Sequence, residues 1–244
     1  MDSLNNMILF VNIKIYYSRR ADNSSRNLKL IFLLTIINLN FLLIKNSFCA
    51  DIENSGSISS SSSHSGVINN SNNITNLTNQ GSVNATGDFG YGIYTSANIT
   101  NLTNNLGIIS TSGLYGNGIY NYKSTITNLT NSGTISTSGN YGNAIYNDGT
   151  ITNLNNSQGQ GNSSGSLKYR GKLHTYYNII INSTSDFGTI IFTLPSGSTT
   201  FGIYAGSTVA AGTYQDVLTG VTGSNLSSLT GTYGSYSWTL ASDT

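Results

Sequence analysis

The stretch that decides the fold runs from Ile126 to Thr150 and reads ITNLTNSGTISTSGNYGNAIYNDGT. Its opening motif, Ile-Thr-Asn-Leu, occurs four times in the sequence, at intervals of 25, 27 and 25 residues. The four copies begin at Ile74, Ile99, Ile126 and Ile151. A nearly constant period of this size predicts coils that stack along one axis, because a single repeat is too small to bury its own apolar side chains.

Each repeat divides into three short runs that carry apolar residues, which in the stretch above are ITNLTN, GTISTS and YGNAIYN. Glycine, serine and asparagine separate the runs, and these residues favour turns. The runs are too short and too rich in β-branched residues to be helices. We therefore predict an all-β chain that forms a parallel β-helix, or β-solenoid, with three short strands in each coil of about 25 residues.

Aligned copies place their apolar side chains in four columns, which we expect to point inward and to stack as ladders. The columns are Ile74, Ile99, Ile126 and Ile151; Leu77, Leu102, Leu129 and Leu154; Val83, Ile109 and Ile135; and Ile93, Ile119 and Ile145. Residues 55–73 align with residues 132–150 without a gap, which predicts a partial coil before the first full one. One extra residue near Asn105–Leu106 and another near Asn121–Thr125 account for the 27-residue interval.

Asparagine forms two further columns in the alignment. The first is predicted to be a structural ladder in which side-chain amides hydrogen-bond from rung to rung, and it comprises Asn76, Asn101, Asn128 and Asn153. The second comprises Asn79, Asn104, Asn131 and Asn156. The alternative role is glycan attachment, because many asparagines open an Asn-x-Ser/Thr sequon. The sequons begin at Asn73, Asn76, Asn84, Asn98, Asn101, Asn128, Asn162, Asn182 and Asn225.

Tyrosine forms a column on the third run of each repeat. Tyr94, Tyr120 and Tyr146 directly follow the inward isoleucine of that run, so alternation along a strand predicts that they face outward. A tyrosine ladder is a candidate ligand-contact surface, because the side chain has an apolar body and a polar tip. The structural alternative is an aromatic stack that only stiffens the coils. A second aromatic column comprises Phe89, Tyr115 and Tyr141, with His64 in the same position upstream.

The composition separates an N-terminal leader from the repeats. Residues 1–50 hold six basic and two acidic residues, and residues 30–44, LIFLLTIINLNFLLI, form an apolar run behind Arg26 and Lys29. This length and this basic flank are typical of a signal peptide, so we expect residues 1–50 to be a disordered or helical leader that engages the export machinery. We expect β-solenoid repeats over residues 51–165 and a β-rich capping segment over residues 166–244, in which Phe201–Tyr204 echoes the third run of the repeats.

The sequence after residue 50 offers little for catalysis or for nucleic-acid binding. It holds four basic and seven acidic residues, a net charge of −3, so we expect no nucleic-acid partner. The titratable side chains are scattered, with Asp88 and Asp148 in turns of different coils, and no histidine or cysteine spacing is typical of a zinc site. We therefore expect no enzyme activity, no metal and no cofactor.

Two other functions remain open from the residues alone. The first is a secreted enzyme that acts on a polysaccharide and uses Asp88 or Asp148. The second is an ice-binding solenoid, because the first run of the repeats contains two columns of threonine. One column comprises Thr75, Thr100, Thr127 and Thr152, and the other comprises Thr78, Thr103 and Thr130 until Asn155 interrupts it.

The order of segments resembles a known family. A long leader, cysteine-free repeats of the NSGTIST…YGNAIYNDGTITNL kind and a strand-rich segment, YYNIIINSTSDFGTIIFTLPSGSTTFGIYAG, resemble the passenger region of bacterial autotransporters, the type V secretion proteins, over about residues 26–244. The resemblance implies an adhesin-like β-helix at the cell surface or outer membrane, or secreted outside the cell. Its partners would be glycans or proteins of a host or a neighbouring cell. In the family a β-barrel follows the passenger. Residues 166–244 are too few to hold one, so contact with the outer membrane is expected only where a barrel is supplied.

Overall fold

Three parallel sheets wind through the structure, a computed structural model that describes residues 42–43, 51–162 and 164–241. The predicted leader, residues 1–50 with its apolar run 30–44, lies outside the described residues except for Leu42–Leu43. The remainder is an all-β parallel solenoid of about seven turns, as the repeat predicted, with one short 3-10 helix at Gly223–Asn225. No helix in the described part of the chain is long and apolar enough to cross a membrane.

Over the repeats, each full turn of the solenoid contributes one strand to each of three parallel sheets, which we call A, B and C. Sheet A contains β1 (Leu42–Leu43), β4 (Gly66–Asn70), β7 (Tyr91–Thr95), β10 (Asn117–Asn121), β13 (Asn143–Asn147), β16 (Leu167–Lys172), β20 (Ile190–Ser196) and β22 (Leu218–Thr219). Sheet B contains β2 (Ile52–Asn54), β5 (Ile74–Asn79), β8 (Ile99–Asn104), β11 (Thr125–Asn131), β14 (Thr150–Asn156), β17 (Tyr176–Ile179) and β21 (Thr200–Ile203). Sheet C contains β3 (Ser57–Ser60), β6 (Ser82–Ala85), β9 (Ile108–Thr111) and β12 (Thr134–Thr137).

The strand register confirms the four apolar columns predicted from the repeat. Each member pairs with its counterpart in the next turn, as Leu129 does with Leu102 and Leu154 in sheet B. All the column residues are buried, and most have no exposed surface. Fully burying an isoleucine or leucine side chain contributes roughly 1.5–3 kcal/mol. The core is therefore a continuous apolar column along the solenoid axis, enclosed by the three sheets.

The N-terminal partial coil is also confirmed, and it extends further than expected. Ile58 pairs with Val83 in sheet C and Ile68 pairs with Ile93 in sheet A. Upstream of these, Ile52 pairs with Leu77 and Asn54 with Asn79 in sheet B. The spacing of the motif does not predict the strand Ile52–Asn54, because Ile52 stands where the later copies have leucine and Glu53 where they have threonine or asparagine.

The two extra residues of the 27-residue interval lie in turns, as predicted. Leu106, between β8 and β9, has φ +57°, and Lys123, between β10 and β11, has φ +50°. Left-handed backbone in a residue with a large side chain is uncommon and marks a turn or a strained site. Each insertion therefore adds one residue with left-handed backbone to a turn. The strands on both sides of the turn keep their pairing.

Sheets A and B continue beyond the last copy of the motif, whereas sheet C does not. β16 and β17 add one further turn, β20 and β21 another, and Ile190 pairs with Leu218 of β22. An antiparallel sheet replaces sheet C there, and it consists of β15 (Gly159–Gln160), β18 (Ile181–Ser183) and β19 (Asp186–Gly188). A hairpin of β23 (Thr230–Tyr233) and β24 (Tyr236–Thr239) ends the described chain.

The sequence similarity between Phe201–Tyr204 and the third run of the repeats does not extend to their positions in the fold. That third run lies in sheet A, whereas Thr200–Ile203 pairs with Tyr176–Ile179 in sheet B. The core at this level is aromatic, with Tyr169, Tyr177 and Phe192 buried. The last two turns therefore continue sheets A and B around a core of aromatic side chains, which the short motif does not reveal.

Candidate functional site

The outer face of sheet A carries a cluster of tyrosines that we call the tyrosine patch: Tyr91, Tyr94, Tyr120, Tyr122 and Tyr146. Three of these residues are the predicted ladder, and they pair in register, Tyr94 with Tyr120 and Tyr120 with Tyr146. All three are half-buried. The patch therefore runs along the solenoid axis over three successive turns.

The rings of the patch contact one another in two ways. Tyr120 and Tyr146 stack with their centroids 4.8 Å apart and their planes 5° apart. Tyr94 meets Tyr120 edge to face at 5.6 Å and 70°. Both arrangements are favourable for aromatic pairs. The rings are consequently held in place before any ligand arrives.

Two members of the patch were missed from the sequence. The ring centroid of Tyr91 lies 5.0 Å from that of Tyr120, and the ring of Tyr122 lies 6.1 Å from Tyr94 and 5.8 Å from Tyr120. Neither position repeats from copy to copy, so the column alignment passed over both. Tyr122 lies beside the inserted Lys123, so the insertion was the one sequence feature that singled out this tyrosine.

Burial raises the pKa of three hydroxyls of the patch. Loss of water around the side chain is the main cause that raises the pKa of Tyr91, Tyr94 and Tyr120, and neighbouring tyrosines raise it further. These phenols are therefore neutral at physiological pH. They can both donate and accept hydrogen bonds.

Basic side chains lie at one end of the patch and beside Tyr122. The guanidinium of Arg170 lies 5.7 Å from the ring centroid of Tyr146, and Nζ of Lys123 lies 5.1 Å from that of Tyr122. Lys172 donates to the carbonyl oxygen of Asp148 at 2.7 Å and lies 3.6 Å from its carboxylate. Lys168 is exposed on β16, the strand next to β13. A cation within about 6 Å of an aromatic centroid is attracted to the ring.

The second aromatic column occupies the turns between sheets C and A. Its ring centroids lie 4.6, 4.9 and 5.0 Å apart, and each pair is stacked. Its members all have a left-handed backbone, and they are His64, Phe89, Tyr115 and Tyr141. Stacking covers most ring faces, although Tyr141, the last of the column, is 69% exposed.

The predicted structural asparagine ladder lies on sheet B, away from sheet A. Nδ2 of Asn153 donates to Oδ1 of Asn128, Asn128 to Asn101, and Asn101 to Asn76, each at 2.9 Å. The series ends at Asp51, whose Oδ1 accepts a hydrogen bond from Nδ2 of Asn76 at 3.0 Å. The structure therefore places the asparagine and tyrosine columns on different faces and does not bring them into one site.

The second asparagine column is buried and runs in the opposite direction. Nδ2 of Asn54 donates to Asn79, Asn79 to Asn104, and Asn104 to Asn131, at 2.7–2.9 Å. Asn131 donates to Asn156 at 3.1 Å. These side chains also satisfy backbone carbonyls in the turn between sheets B and C, as Asn104 does for Gly107. The ladder thus fills a corner where the sheet hydrogen bonds end.

Histidine and aspartate side chains do not converge. His174 is fully buried among aromatic rings, its Nδ1 is 2.9 Å from Oγ1 of Thr199, and burial lowers the pKa of His174 to about 3. Asp88 accepts a hydrogen bond from the backbone N–H of Leu114 in a turn between sheets C and A, whereas Asp148 follows β13. Within residues 51–162 and 164–241 no three histidine, aspartate or glutamate side chains are grouped as metal ligands would be.

The threonine columns considered for ice binding lie on sheet B. Thr75, Thr100 and Thr127 are exposed, whereas Thr152 is half-buried. Asn155 occupies the next position in the second column and donates to Oγ1 of Thr130 at 3.0 Å. The surface is therefore a mixed asparagine and threonine face.

No protein-family profile matches the sequence, and no curated protein or solved structure is significantly similar to it.

Proposed function

We propose that this chain is an exported, cell-surface β-solenoid with a structural or adhesive role and without catalytic activity. The observation that carries the proposal is the tyrosine patch, a contiguous aromatic surface on the outer face of sheet A. Partly exposed aromatic surface that is continuous over several turns is typical of an interaction site, whereas scattered single residues are not.

The construction of the patch favours binding. Tyrosine supplies a large, rigid and amphipathic contact area at low cost in conformational entropy. The ring contacts of Tyr120 with Tyr91, Tyr94 and Tyr146 already restrict its rotamers. A ligand would therefore lose little free energy to ordering these side chains.

The sequence supports export to the cell surface. The apolar run 30–44 behind Arg26 and Lys29 is typical of a signal peptide. The single cysteine, Cys49, precedes the repeats, so stacking rather than disulfides holds the coils together.

Adhesion is tested by comparing the full chain with a triple variant, Tyr94→Ser, Tyr120→Ser and Tyr146→Ser, on a panel of bacterial and animal cells. We expect binding to at least one cell type, and loss of that binding in the triple variant. The matched control is Tyr115→Ser with Tyr141→Ser, which removes two tyrosines from the other aromatic column and should leave binding unchanged.

Circular dichroism of both variants checks that the strands remain. If the triple variant loses its strand signal, Tyr146→Ser alone provides the comparison, because it leaves the Tyr91, Tyr94 and Tyr120 contacts in place. Undiminished cell binding by a folded patch variant would overturn the adhesive role of the patch.

Export and the absence of catalysis have separate tests. Expression in a Gram-negative bacterium with and without residues 1–50 should place the protein outside the cytoplasm only when those residues are present. Cytoplasmic retention of the full chain would contradict export. Hydrolysis of a polysaccharide that Asp88→Asn or Asp148→Asn abolishes would show that the protein is an enzyme.

A further inference from the structure

Every lysine and arginine after residue 50 lies on sheet A or in the turn that follows it. We call these four residues the basic rim: Lys123, Lys168, Arg170 and Lys172. Lys123 follows β10, and the other three belong to β16. The same part of the chain has a net charge of −3, so this concentration of positive charge on one face does not follow from composition.

The acidic residues are distributed differently. Asp51 and Glu53 lie at and beside β2, the first described strand of sheet B, and Asp88 lies in a turn between sheets C and A. Asp186 lies in β19, and Asp216 precedes β22. Asp148 is the acidic side chain that adjoins the patch, and Lys172 forms an ion pair with it. Within residues 51–162 and 164–241 this is the one ion pair, so Lys123, Lys168 and Arg170 keep their charges uncompensated.

The patch and the rim form one surface. In register along sheet A, Tyr94 pairs with Tyr120, Tyr120 with Tyr146, and Tyr146 with Arg170. Three intervals of about 4.8 Å give a strip about 14 Å long that begins on aromatic rings and ends on a guanidinium. Lys123 lies at the side of this strip, over the ring of Tyr122.

We infer that this strip binds an acidic polysaccharide, a sugar polymer that carries carboxylate or sulfate groups. Tyrosine rings pack against the apolar faces of sugar rings, and their hydroxyls hydrogen-bond to sugar hydroxyls. Arg170 and the nearby lysines pair with the acidic groups, since a guanidinium matches the geometry of a carboxylate or sulfate. The inference rests on the proposed adhesive function and names the ligand class of the same surface.

A nucleic acid is also anionic, but the surface favours it less. Nucleic-acid affinity depends on neutralising several phosphates at once. The part of the chain after residue 50 has a net charge of −3 and offers three cations that have no ion-pair partner among the described residues.

The test measures binding of the full chain to two matched pairs of polymers. One pair is polygalacturonate and its methyl ester, and the other is dextran sulfate and dextran. Oligothymidylate serves as the nucleic-acid probe. We expect binding to polygalacturonate or dextran sulfate to be at least about tenfold tighter than to its neutral partner, and to weaken as salt is added. The carboxylated and sulfated arms show which acidic group is preferred.

Arg170→Gln removes the charge and keeps a polar side chain that can donate hydrogen bonds. It should weaken binding to the acidic polymer about tenfold and leave the weak binding to the neutral partner unchanged. Asp186→Asn changes the net charge by the same amount and in the opposite direction, at a site in β19, so it should have little effect. Lys123→Gln provides a second variant, at the side of the strip beside Tyr122.

Equal affinity for charged and neutral polymers would overturn the acidic class, and so would tighter binding to oligothymidylate. Binding to none of the polymers, together with tyrosine-dependent binding to cells, would overturn the acidic class and leave the adhesive function standing. Cell binding that survives in the folded triple tyrosine variant would overturn the adhesive function itself. The two failures are therefore distinguishable.

Discussion

Asparagine illustrates how one residue type serves two structural roles in the same strand. Asn101 and Asn104 both lie in β8 and both belong to side-chain ladders. Asn101 is half-buried, whereas Asn104 has no exposed surface and also donates to the backbone carbonyl of Gly107. An unpaired polar group is costly only where water cannot replace its partner.

The difference between these two residues predicts unequal effects of truncation. Asn104→Ala should lower the free energy of unfolding by about 3 kcal/mol, because Asn79, Asn131 and Gly107 each lose a buried partner. Asn101→Ala should cost about 1 kcal/mol or less, since water reaches its partners. Urea unfolding followed by circular dichroism compares the two, and equal losses would contradict the distinction.

His174 predicts a dependence of stability on pH. Burial lowers its pKa to about 3 in the folded state, whereas an unfolded histidine has a pKa near 6.5. A lowered folded-state pKa gives stability that is present above the unfolded pKa and is lost as pH falls below it. Between pH 7 and pH 5 the free energy of unfolding should therefore fall by about 2 kcal/mol.

His174→Phe should remove this loss between pH 7 and pH 5, because phenylalanine does not titrate. His64→Phe, in the aromatic column of the turns, should retain the wild-type dependence and serves as the control. Urea unfolding at the two pH values measures both. A His174→Phe variant that loses as much stability as the wild type would contradict the explanation.

At the scale of elements, one side chain takes the place of a strand. Sheet C ends at β12, and Gln158 occupies the position where the next strand would pair. Its Oε1 accepts from the N–H of Ile135 at 2.8 Å, and its Nε2 donates to the carbonyl oxygen of Ile135 at 3.1 Å. The side-chain amide thus satisfies the edge strand as a peptide group would, and an unsatisfied edge is a hazard for aggregation.

Removal of this amide should release the edge of sheet C. In Gln158→Ala the amide proton of Ile135 should exchange with solvent at least about tenfold faster, because its hydrogen-bond acceptor is gone. Gln160→Ala, an exposed glutamine two residues away, should leave that exchange rate unchanged. Hydrogen exchange read by NMR or mass spectrometry makes the comparison. Unchanged protection of Ile135 in Gln158→Ala would contradict the role of the side chain.

At the scale of the whole molecule, the strands of each described turn pair with strands of the turns before and after it. Ile119 pairs with Ile93 on one side and Ile145 on the other, and all three are fully buried. Stability in such a stack is close to a sum of turns and of the interfaces between neighbours. A defect in one turn should therefore spread to its neighbours first.

Ile119→Asp places an unpaired charge in the apolar column and should cost more than about 4 kcal/mol. Hydrogen-exchange protection should be lost in β7, β10 and β13 before it is lost in β17 and β21. Thr100→Asp introduces the same side chain on the exposed face of sheet B and should change stability by less than about 1 kcal/mol. Unchanged melting of Ile119→Asp would show that this column is not internal.

The sequence by itself determined the three-stranded coil, the four inward columns and the place of both insertions. These features depend on residue spacing within one repeat and on the same spacing in the next. Because strands alternate their side chains strictly, an aligned isoleucine such as Ile119 is assigned to the core without knowledge of its neighbours. The outward direction of Tyr120 follows by the same rule.

Only the tertiary structure decided which side chains from different turns meet. It joined Tyr91 and Tyr122 to the tyrosine patch, set Arg170 beside Tyr146, and placed Gln158 on the edge of sheet C. None of these positions repeats from copy to copy, so no column reveals them. The physical reason is that these contacts depend on the lateral packing of whole turns and on the antiparallel segment that replaces sheet C, neither of which is encoded in the period.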